Sequence, residues 1–247
     1  IDPGFKIPSQ EQQNSFIDDA LHRARSVPGI TAAGISDVLP LDGDRSWQVA
    51  AQGQVYDKDH HPESFIRIVS DGYFEALGIA LKSGRAFTES DRGSSEPVVI
   101  VNETLARTLW PGQKAVGQMV TQDGGRKVVG VVADTKGMLL TQPAPAMIYV
   151  PASNGLMGDS TDWVIRASST AGIESSLQKA VTDFSPDQRI TDIEPMTQLL
   201  GQSVADTHFE ALLMGAFAAL AMALTLVGVY GVLSFQIVQR TQEIGIR

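Results

Sequence analysis

The uncharged stretch Ala211–Phe235 places the strongest limit on how this 247-residue chain can fold. It contains no charged side chain, and 20 of its 25 residues are apolar. As an α-helix rising ~1.5 Å per residue, the stretch would be about 37 Å long, which is enough to cross a hydrocarbon core of roughly 30 Å. Apolar runs that form buried helices in soluble proteins are normally shorter. The sequence therefore predicts a transmembrane helix over residues 211–235.

The charges that flank this stretch predict its orientation. Asp206 and Glu210 precede it, whereas Arg240 and Arg247 follow it. Short loops rich in Lys and Arg are retained on the cytoplasmic side of a membrane. We therefore expect the C-terminal end of the chain to be cytoplasmic and residues 1–210 to be extracytoplasmic.

Small residues inside the stretch are spaced so that a second helix could approach closely. Gly215, Ala219 and Ala223 recur at intervals of four residues, a small-xxx-small pattern that is common where membrane helices pack. Together with Gly228 and Gly231 they are the candidate helix-packing residues of this chain. The alternative interpretation is that alanine is simply frequent in membrane helices, and the sequence leaves both open.

The residues before the apolar stretch have the composition of an acidic, water-soluble domain. The chain carries a formal net charge of −9, and because Arg240, Glu243 and Arg247 sum to +1, the region before the stretch carries −10. Proteins that bind nucleic acid need clustered Lys and Arg, so nucleic acid is not an expected partner. The absence of cysteine excludes disulfides and thiolate metal sites. Because the chain starts at Ile1 without an export signal, we interpret it as part of a longer protein.

Two segments near the ends of this domain share one pattern, which is a helical stripe of apolar residues, a turn and a β-prone run. Such units pack into a single α+β layer. We therefore expect one α+β subdomain split between residues 1–72 and residues 152–196. The predicted helices are 15–26 and 173–184, and the predicted strands are 30–38, 64–70, 162–167 and 189–194.

Residues 73–151 have a different sequence pattern, in which short β-prone runs are separated by turn signals such as Asp123-Gly124-Gly125. We interpret them as an inserted, mostly β subdomain that opens with a short helix anchored by Tyr73 and Phe74 and closed by a glycine. A connector helix is expected at 197–210. Within the insert, the predicted strands are 97–101, 127–133 and 147–150, and a further helix is predicted at 102–109.

No cluster of residues in the chain predicts catalysis. Asp57–Glu63 is the only dense group of potential metal ligands, but the adjacent His60 and His61 would point in opposite directions in a strand, so a solvated polar loop is favoured. Gly112–Gly117 has the glycine spacing of a phosphate-binding loop but lacks its Lys and Ser/Thr, which favours turn glycines. We expect no catalytic, cofactor-binding or metal-binding residue, and therefore no enzymatic activity in this chain.

Several stretches, taken together and in the same order, resemble the periplasmic core domain of MacB/FtsX-type ABC transporter permeases, and most closely the subgroup that carries two such units in one chain. The apolar stretch with Gly228–Ser234 and the following Gln239–Arg247 are similar to the membrane helix and flank that come after this domain in the family. Within the domain, the resemblance is carried by Tyr73-Phe74, Leu77-Gly78-Ile79, Gly84-Arg85, Phe87, Val99–Glu103, Ala106-Arg107, Trp110-Pro111-Gly112, Val116-Gly117 and Val128–Asp134.

The resemblance implies a fold and a location. The fold is an extracytoplasmic α+β domain, formed by a split porter-like subdomain with an inserted mostly β subdomain, followed by one transmembrane α-helix. Further membrane helices would lie upstream of Ile1 and beyond Arg247, in a bacterial inner membrane. It also implies that residues 236–247 begin a cytoplasmic coupling segment. The residues expected to contact an ABC ATPase are Arg240, Glu243, Ile244 and Arg247, for which an ordinary charged stop-transfer flank is the alternative.

Two functions from different classes follow from these observations. The first is a permease subunit that couples ATP hydrolysis by a partner ATPase to motion of the extracytoplasmic domain, for efflux or mechanotransmission. The second is a membrane-tethered extracytoplasmic binding or scaffold module without a transport role. No cofactor is expected. For the permease, the expected partners are the cytoplasmic ATPase, a second permease half or homodimer partner, membrane lipid and a periplasmic adaptor or envelope protein.

Overall fold

Apolar strand residues in the first part of the chain are buried on both faces of one mixed β-sheet in the computed structural model. The residues fall into two compact units, Ile1–Glu194 and Pro195–Arg247. The sheet belongs to the first unit, and an apolar helix belongs to the second. The structure describes residues 10–39, 45–54, 56, 61–91, 96–121, 124–137, 142–152, 161–169, 172–184, 193–198 and 213–231.

The first unit contains both helices and strands along the chain, which confirms the predicted mixture of α and β structure. A 3₁₀ turn at Glu89–Asp91 lies between the fourth and fifth strands. In chain order the elements are α1 (Gln10–Ser26), β1 (Ile30–Ser36), β2 (Arg45–Gln48), β3 (Glu63–Val69), α2 (Tyr73–Leu77), β4 (Leu81–Gly84), β5 (Val98–Asn102), α3 (Glu103–Leu109), β6 (Met119–Val120), β7 (Arg126–Val132), β8 (Met147–Pro151), β9 (Asp162–Ala167) and α4 (Ile173–Phe184).

The described strands form one sheet in the order β4-β7-β5-β8-β3-β1-β9, with β2 added to β3 and β6 added to β7. The pairs β3–β8 and β5–β7 are parallel, and the other neighbouring strands are antiparallel. Strands from residues 73–151 therefore continue the same sheet as strands from residues 1–72. The boundaries of the two subdomains stay a prediction.

Helices cover both faces of this sheet, because successive residues of a strand point to opposite sides. On one face, α1 and α4 pack over the end that contains β1, and α3 packs further along, over β5 and β8. Helix α2 packs on the opposite face, where Tyr73 and Phe74 are buried. The core under α1 and α4 is formed by Ile17, Leu21, Ala24, Ala33, Ile35, Ile68, Ala152 and Leu177.

Most predicted elements are present, and apart from the start of α1 their bounds differ from the prediction by at most two residues. Strand β9 and helix α4 have the predicted bounds, whereas α1 begins five residues earlier than predicted. Strands β2, β4 and β6 were not predicted. The expected strand at 189–194 and connector helix at 197–210 lie almost entirely outside the described residues. In the described segment 193–198, residues 196–198 are helical.

Asn102 ties three elements of the core together and has no exposed surface. Its Oδ1 accepts from Leu105 N at the start of α3 and from Met147 N in β8, both at 2.9 Å. Its Nδ2 donates to Pro145 O at 2.7 Å. One amide thus caps a helix and fixes the start of β8 against the end of β5.

We expect Asn102→Ala to destabilise the protein by about 2–4 kcal/mol, because two buried N–H groups would lose their acceptor. The matched control is Thr108→Ala on the same helix, where an exposed hydroxyl is lost and the expected change is below about 0.5 kcal/mol. Thermal unfolding in detergent measures both. Equal effects of the two substitutions would contradict the role of Asn102.

Candidate functional site

The connection between β1 and β3 is the narrowest point of the sheet among the described strands. Strand β1 pairs with β9 along its whole length, and β3 pairs with β8 over five residue pairs. In contrast, β1 meets β3 at one register pair, Ser36 opposite Val69. Backbone hydrogen bonds donated by Asp37 N and Ser70 N flank this pair at 3.1 and 2.9 Å. The strand pair β1–β9 is therefore joined to the rest of the sheet at a corner.

Side-chain oxygens reinforce this corner where strand pairing ends. Ser70 Oγ accepts from Ile35 N at 2.8 Å, and Asp37 Oδ1 accepts from Ile68 N at 2.9 Å. Asp37 also forms an ion pair with Arg45. Buried backbone N–H groups need an acceptor, and here a side chain supplies what a longer ladder would have supplied.

Arg25, in the last turn of α1, holds the edge of β1 beyond the corner. Its Nη2 donates to Ala33 O at 2.9 Å and to Asp71 O at 2.8 Å. Its Nη1 forms an ion pair with Asp71 Oδ2 at 3.1 Å. One guanidinium thereby links α1, β1 and the turn that leads from β3 into α2.

Two glycines allow this turn to lie directly on β1. A Cβ atom at Gly34 would stand 2.5 Å from Tyr73 Cα, and one at Gly72 would stand 2.5 Å from Ala33 O. Gly72 also has a φ of 80°, in the left-handed region that favours glycine. A side chain at either position would have to push α2 away from β1.

Helix α2 is held at its other end by Arg166 of β9. Arg166 Nε donates to Glu75 O at 3.2 Å and to Ala76 O at 3.0 Å, which are carbonyls at the C-terminal end of α2. On the face of the helix, the ring of Phe74 packs edge-on against Tyr149 with a centroid distance of 4.9 Å. The ring of Phe87 lies 6.3 Å from that of Phe74. Arg25 therefore binds the turn before α2, and Arg166 binds the C-terminal end of the helix. Aromatic rings pack against its face.

A buried cation lies beside these rings. Arg67 is 2% exposed and stands opposite Tyr149 in the β3–β8 ladder. Burial raises the pKa of Tyr73, which the positive charge of Arg67 partly opposes. Burial, together with the neighbouring Tyr73, raises the pKa of Tyr149 to about 12. Both phenols consequently stay neutral at physiological pH.

An ion pair holds the turn after β4, which contains Phe87. Arg85 Nη1 and Nη2 donate to the two carboxylate oxygens of Asp91 at 2.6 and 2.7 Å. Asp91 also accepts from Thr88 N at 2.8 Å. The hydrogen bond from Arg85 is the main cause that lowers the pKa of Asp91, although burial opposes the shift.

The second unit contains helix α5 (Leu213–Gly231), which is long and apolar enough to cross a membrane. Its side chains are exposed, and Thr225 Oγ1 donates to Ala221 O at 2.8 Å within the helix. At ~100° per residue, Gly215, Ala219 and Ala223 share a face about 80° wide. Gly228 and Gly231 lie on a face turned about 150° from the first. The five candidate packing residues therefore fall into two groups, and their packing role stays a prediction.

Other candidate residues lie largely outside the described residues. The expected coupling residues Arg240, Glu243, Ile244 and Arg247 all do so, as do 57–60 of the possible metal-binding segment. The ring of His61, from the same segment, lies 5.9 Å from that of Tyr56. In the part of the chain that the structure describes, no three His, Asp or Glu residues lie close enough to hold a metal ion.

Sequence reasoning did not find the roles of Arg25, Arg67 and Arg166. A basic residue in the last turn of a helix, such as Arg25, is common and indicates no specific partner. The signal in the sequence that could have indicated the close packing of α2 on β1 was the position of two glycines. Gly34 interrupts a β-prone run, which is typical of a close backbone approach, and Gly72 directly precedes the predicted short helix.

This mixed domain, with an apolar helix following it in the chain, has clear relatives. The chain belongs to the family of MacB-like periplasmic core domains, which matches residues 4–184. It is 24% identical over 194 residues to the uncharacterized ABC transporter permease YvrN of Bacillus subtilis, covering 72% of this chain and 47% of the relative. It is 29% identical over 189 residues to the macrolide export ATP-binding/permease protein MacB 1 of Yersinia pestis, covering 72% of this chain and 29% of the relative.

The chain thus spans less than half the length of each of these two relatives. Among solved structures, the extracellular domain of the noncanonic ABC-type transporter YknZ from Gram-positive bacteria aligns with a TM-score of 0.48 and 17% identity. That alignment covers 74% of this chain and 94% of the YknZ chain. The family assignment confirms the resemblance read from the sequence.

The Arg85–Asp91 pair predicts a defined pH dependence of stability. Because the pKa of Asp91 is lower in the folded state than the value of about 3.9 in the unfolded chain, the pair stabilises the fold above about pH 4. This stabilisation is lost as the pH falls through the folded-state pKa. The difference in unfolding free energy between wild type and Asp91→Asn should therefore shrink on acidification.

Arg85→Gln serves as the partner variant in this experiment. It removes the main cause of the lowered pKa, so its stability difference from wild type should shrink over the same acidic range. Denaturant unfolding in detergent at a series of pH values measures both variants. A stability difference that stays constant from neutral pH to pH 2 would contradict the assignment.

Proposed function

We propose that this chain is part of a permease subunit of a MacB/FtsX-type ABC transporter. In this proposal, ATP hydrolysis by a cytoplasmic partner ATPase moves the extracytoplasmic domain, for efflux or mechanotransmission. The observation that carries the proposal is the presence, on one chain, of a MacB-like periplasmic core domain and, after it, the apolar helix α5. A domain of this family coupled to a membrane helix is suited to transmit motion across a bilayer.

The proposed location is a bacterial inner membrane, with residues 1–210 outside the cytoplasm and the C-terminal end inside. The arginines that follow the apolar stretch support this orientation. The 19 residues of α5 would extend about 28 Å, close to the thickness of the hydrocarbon core. Its two groups of small residues offer faces for other helices, such as those of a second permease half or a homodimer partner.

The proposed coupling contact is formed by Arg240, Glu243, Ile244 and Arg247. A short segment with an apolar residue between charged residues is suited to a groove on a partner, where the apolar side chain is buried and the charges pair at the rim. Catalysis would then belong to the ATPase. A periplasmic adaptor or another envelope protein would meet the extracytoplasmic domain.

The orientation can be tested by cysteine labelling, because this chain contains no cysteine. We expect Lys114→Cys to react with a membrane-impermeant maleimide added to intact spheroplasts that carry the full-length protein in a cysteine-free background. Gln242→Cys should react only after the membrane is permeabilised. Labelling of both positions from outside, or of residue 242 alone, would contradict the proposed topology.

The coupling contact can be tested with a photo-crosslinking amino acid at Ile244 of the full-length protein in membranes. We expect it to capture an ABC ATPase, with a yield that changes when ATP is added. The matched control places the same crosslinker at Met222, in the middle of α5, where no ATPase should be captured. Capture of no ATPase from a cytoplasmic residue 244 would favour the alternative function, a membrane-tethered module.

A further inference from the structure

We propose that helix α2 is a brace across the corner of the sheet, which makes the strand pair β1–β9 and the remaining strands a single rigid body. The α2 brace consists of Tyr73–Leu77 together with the two arginines that grip it, Arg25 and Arg166. This inference concerns the mechanics of the first unit. It rests on the proposed function only for its consequence in transport.

Without a brace, the corner is the place where this sheet would bend. One register pair and two flanking backbone hydrogen bonds connect β1 to β3, whereas a normal strand pair has a ladder along its length. Hinge motions use a few residues at the ends of elements, which is where Ser36 and Val69 lie. A two-strand unit attached in this way has fewer backbone hydrogen bonds to resist rotation about the corner than a unit joined by a full ladder.

Helix α2 opposes that rotation because it is fastened on both sides of the corner. On the β1–β9 side, Arg25 bonds Ala33 O and the turn before α2, and Arg166 bonds the carbonyls at its C-terminal end. On the other side, the ring of Phe74 packs against Tyr149 of β8. Rotation about the corner must break either the arginine contacts or the aromatic contacts.

The close fit of the backbones leaves little room for movement. With Gly34 directly against Tyr73 and Gly72 directly against Ala33, α2 lies on β1 without an intervening side chain. Close-packed interfaces of this kind move between discrete arrangements rather than deforming gradually. The brace therefore keeps one geometry unless its contacts are broken together.

For the proposed permease, the consequence is that a displacement reaching α1 or α4 would be passed to the far strands β5, β7 and β4 without loss in the corner. The domain would move as one rigid body, and its two parts would not close toward each other. This distinguishes a transmission device from a clamp that closes around cargo between the two parts.

The test is a distance measurement between two spin labels in the full-length protein in lipid nanodiscs. Asp19→Cys on α1 and Lys114→Cys after α3 are exposed positions on the two sides of the corner. In a cysteine-free background we expect a narrow distance distribution whose mean and width do not change with ATP. In the same background, the double variant Arg25→Gln/Arg166→Gln should widen the distribution at least twofold.

The matched control is Arg23→Gln, which removes an exposed arginine from α1 outside the brace and should leave the distribution unchanged. Thermal unfolding verifies that each variant is folded. A wild-type distribution that is broad or shifts with ATP would overturn the proposal, and so would an unchanged width in a folded double variant. The wild-type measurement requires no change in the brace, so a broad or ATP-dependent distribution overturns the proposal even if the double variant does not fold.

The result of the distance measurement can be distinguished from the result of the crosslinking test of the proposed function. If no ATPase is captured at Ile244 but the wild-type distribution is narrow and the double variant is broad, the brace stands and the permease proposal fails. If an ATPase is captured and the wild-type distance changes with ATP, the permease proposal stands and the brace fails.

Discussion

The geometry of the first unit depends on how the hydrogen-bonding groups of β1 are satisfied once the chain of β3 has turned away. A strand edge that loses its partner within a packed domain must find other donors and acceptors, since buried unpaired backbone groups are costly. For β1, Arg25 donates to Ala33 O and Ser70 Oγ accepts from Ile35 N, while Asp37 Oδ1 accepts from Ile68 N of β3. These three side chains pair backbone groups of Ala33, Ile35 and Ile68 at the corner where the sheet changes partners.

The same requirement explains why the chain enters α2 where it does. Because Asp71 and Gly72 occupy the edge that a strand would otherwise cover, the next residues must pass over the face of β1. Gly34 removes the side chain that would block this path. Tyr73 and Phe74 then enter the core, so one turn of helix both covers the face and connects the two parts of the sheet.

Local patterns in the sequence predicted the elements well and their partners poorly. The bounds of β9 follow from a β-prone run and those of α4 from a helical stripe, and the glycine that ends α2 was also predicted. The four-residue strands β2 and β4 have mostly exposed side chains, so they show no hydrophobic pattern. The bond from Arg25 to Asp71 joins residues 46 positions apart, and no local signal reveals such a pair. The small residues of α5 fall on two faces of the helix, a division that follows from their spacing alone, and their packing role stays a prediction.

The chemistry of the brace also suits a domain that works outside the cytoplasm, as proposed. Arginine stays protonated at any pH that a cell envelope meets, and backbone carbonyls do not titrate. The phenols of Tyr73 and Tyr149 have raised pKa values and stay neutral. The bonds from the two arginines to backbone carbonyls and the aromatic contacts on the face of α2 therefore keep their strength when the external pH changes. A histidine at either arginine position would make the rigidity of the domain depend on pH near neutrality, and a mechanical link exposed to the environment is better built from groups that do not titrate there.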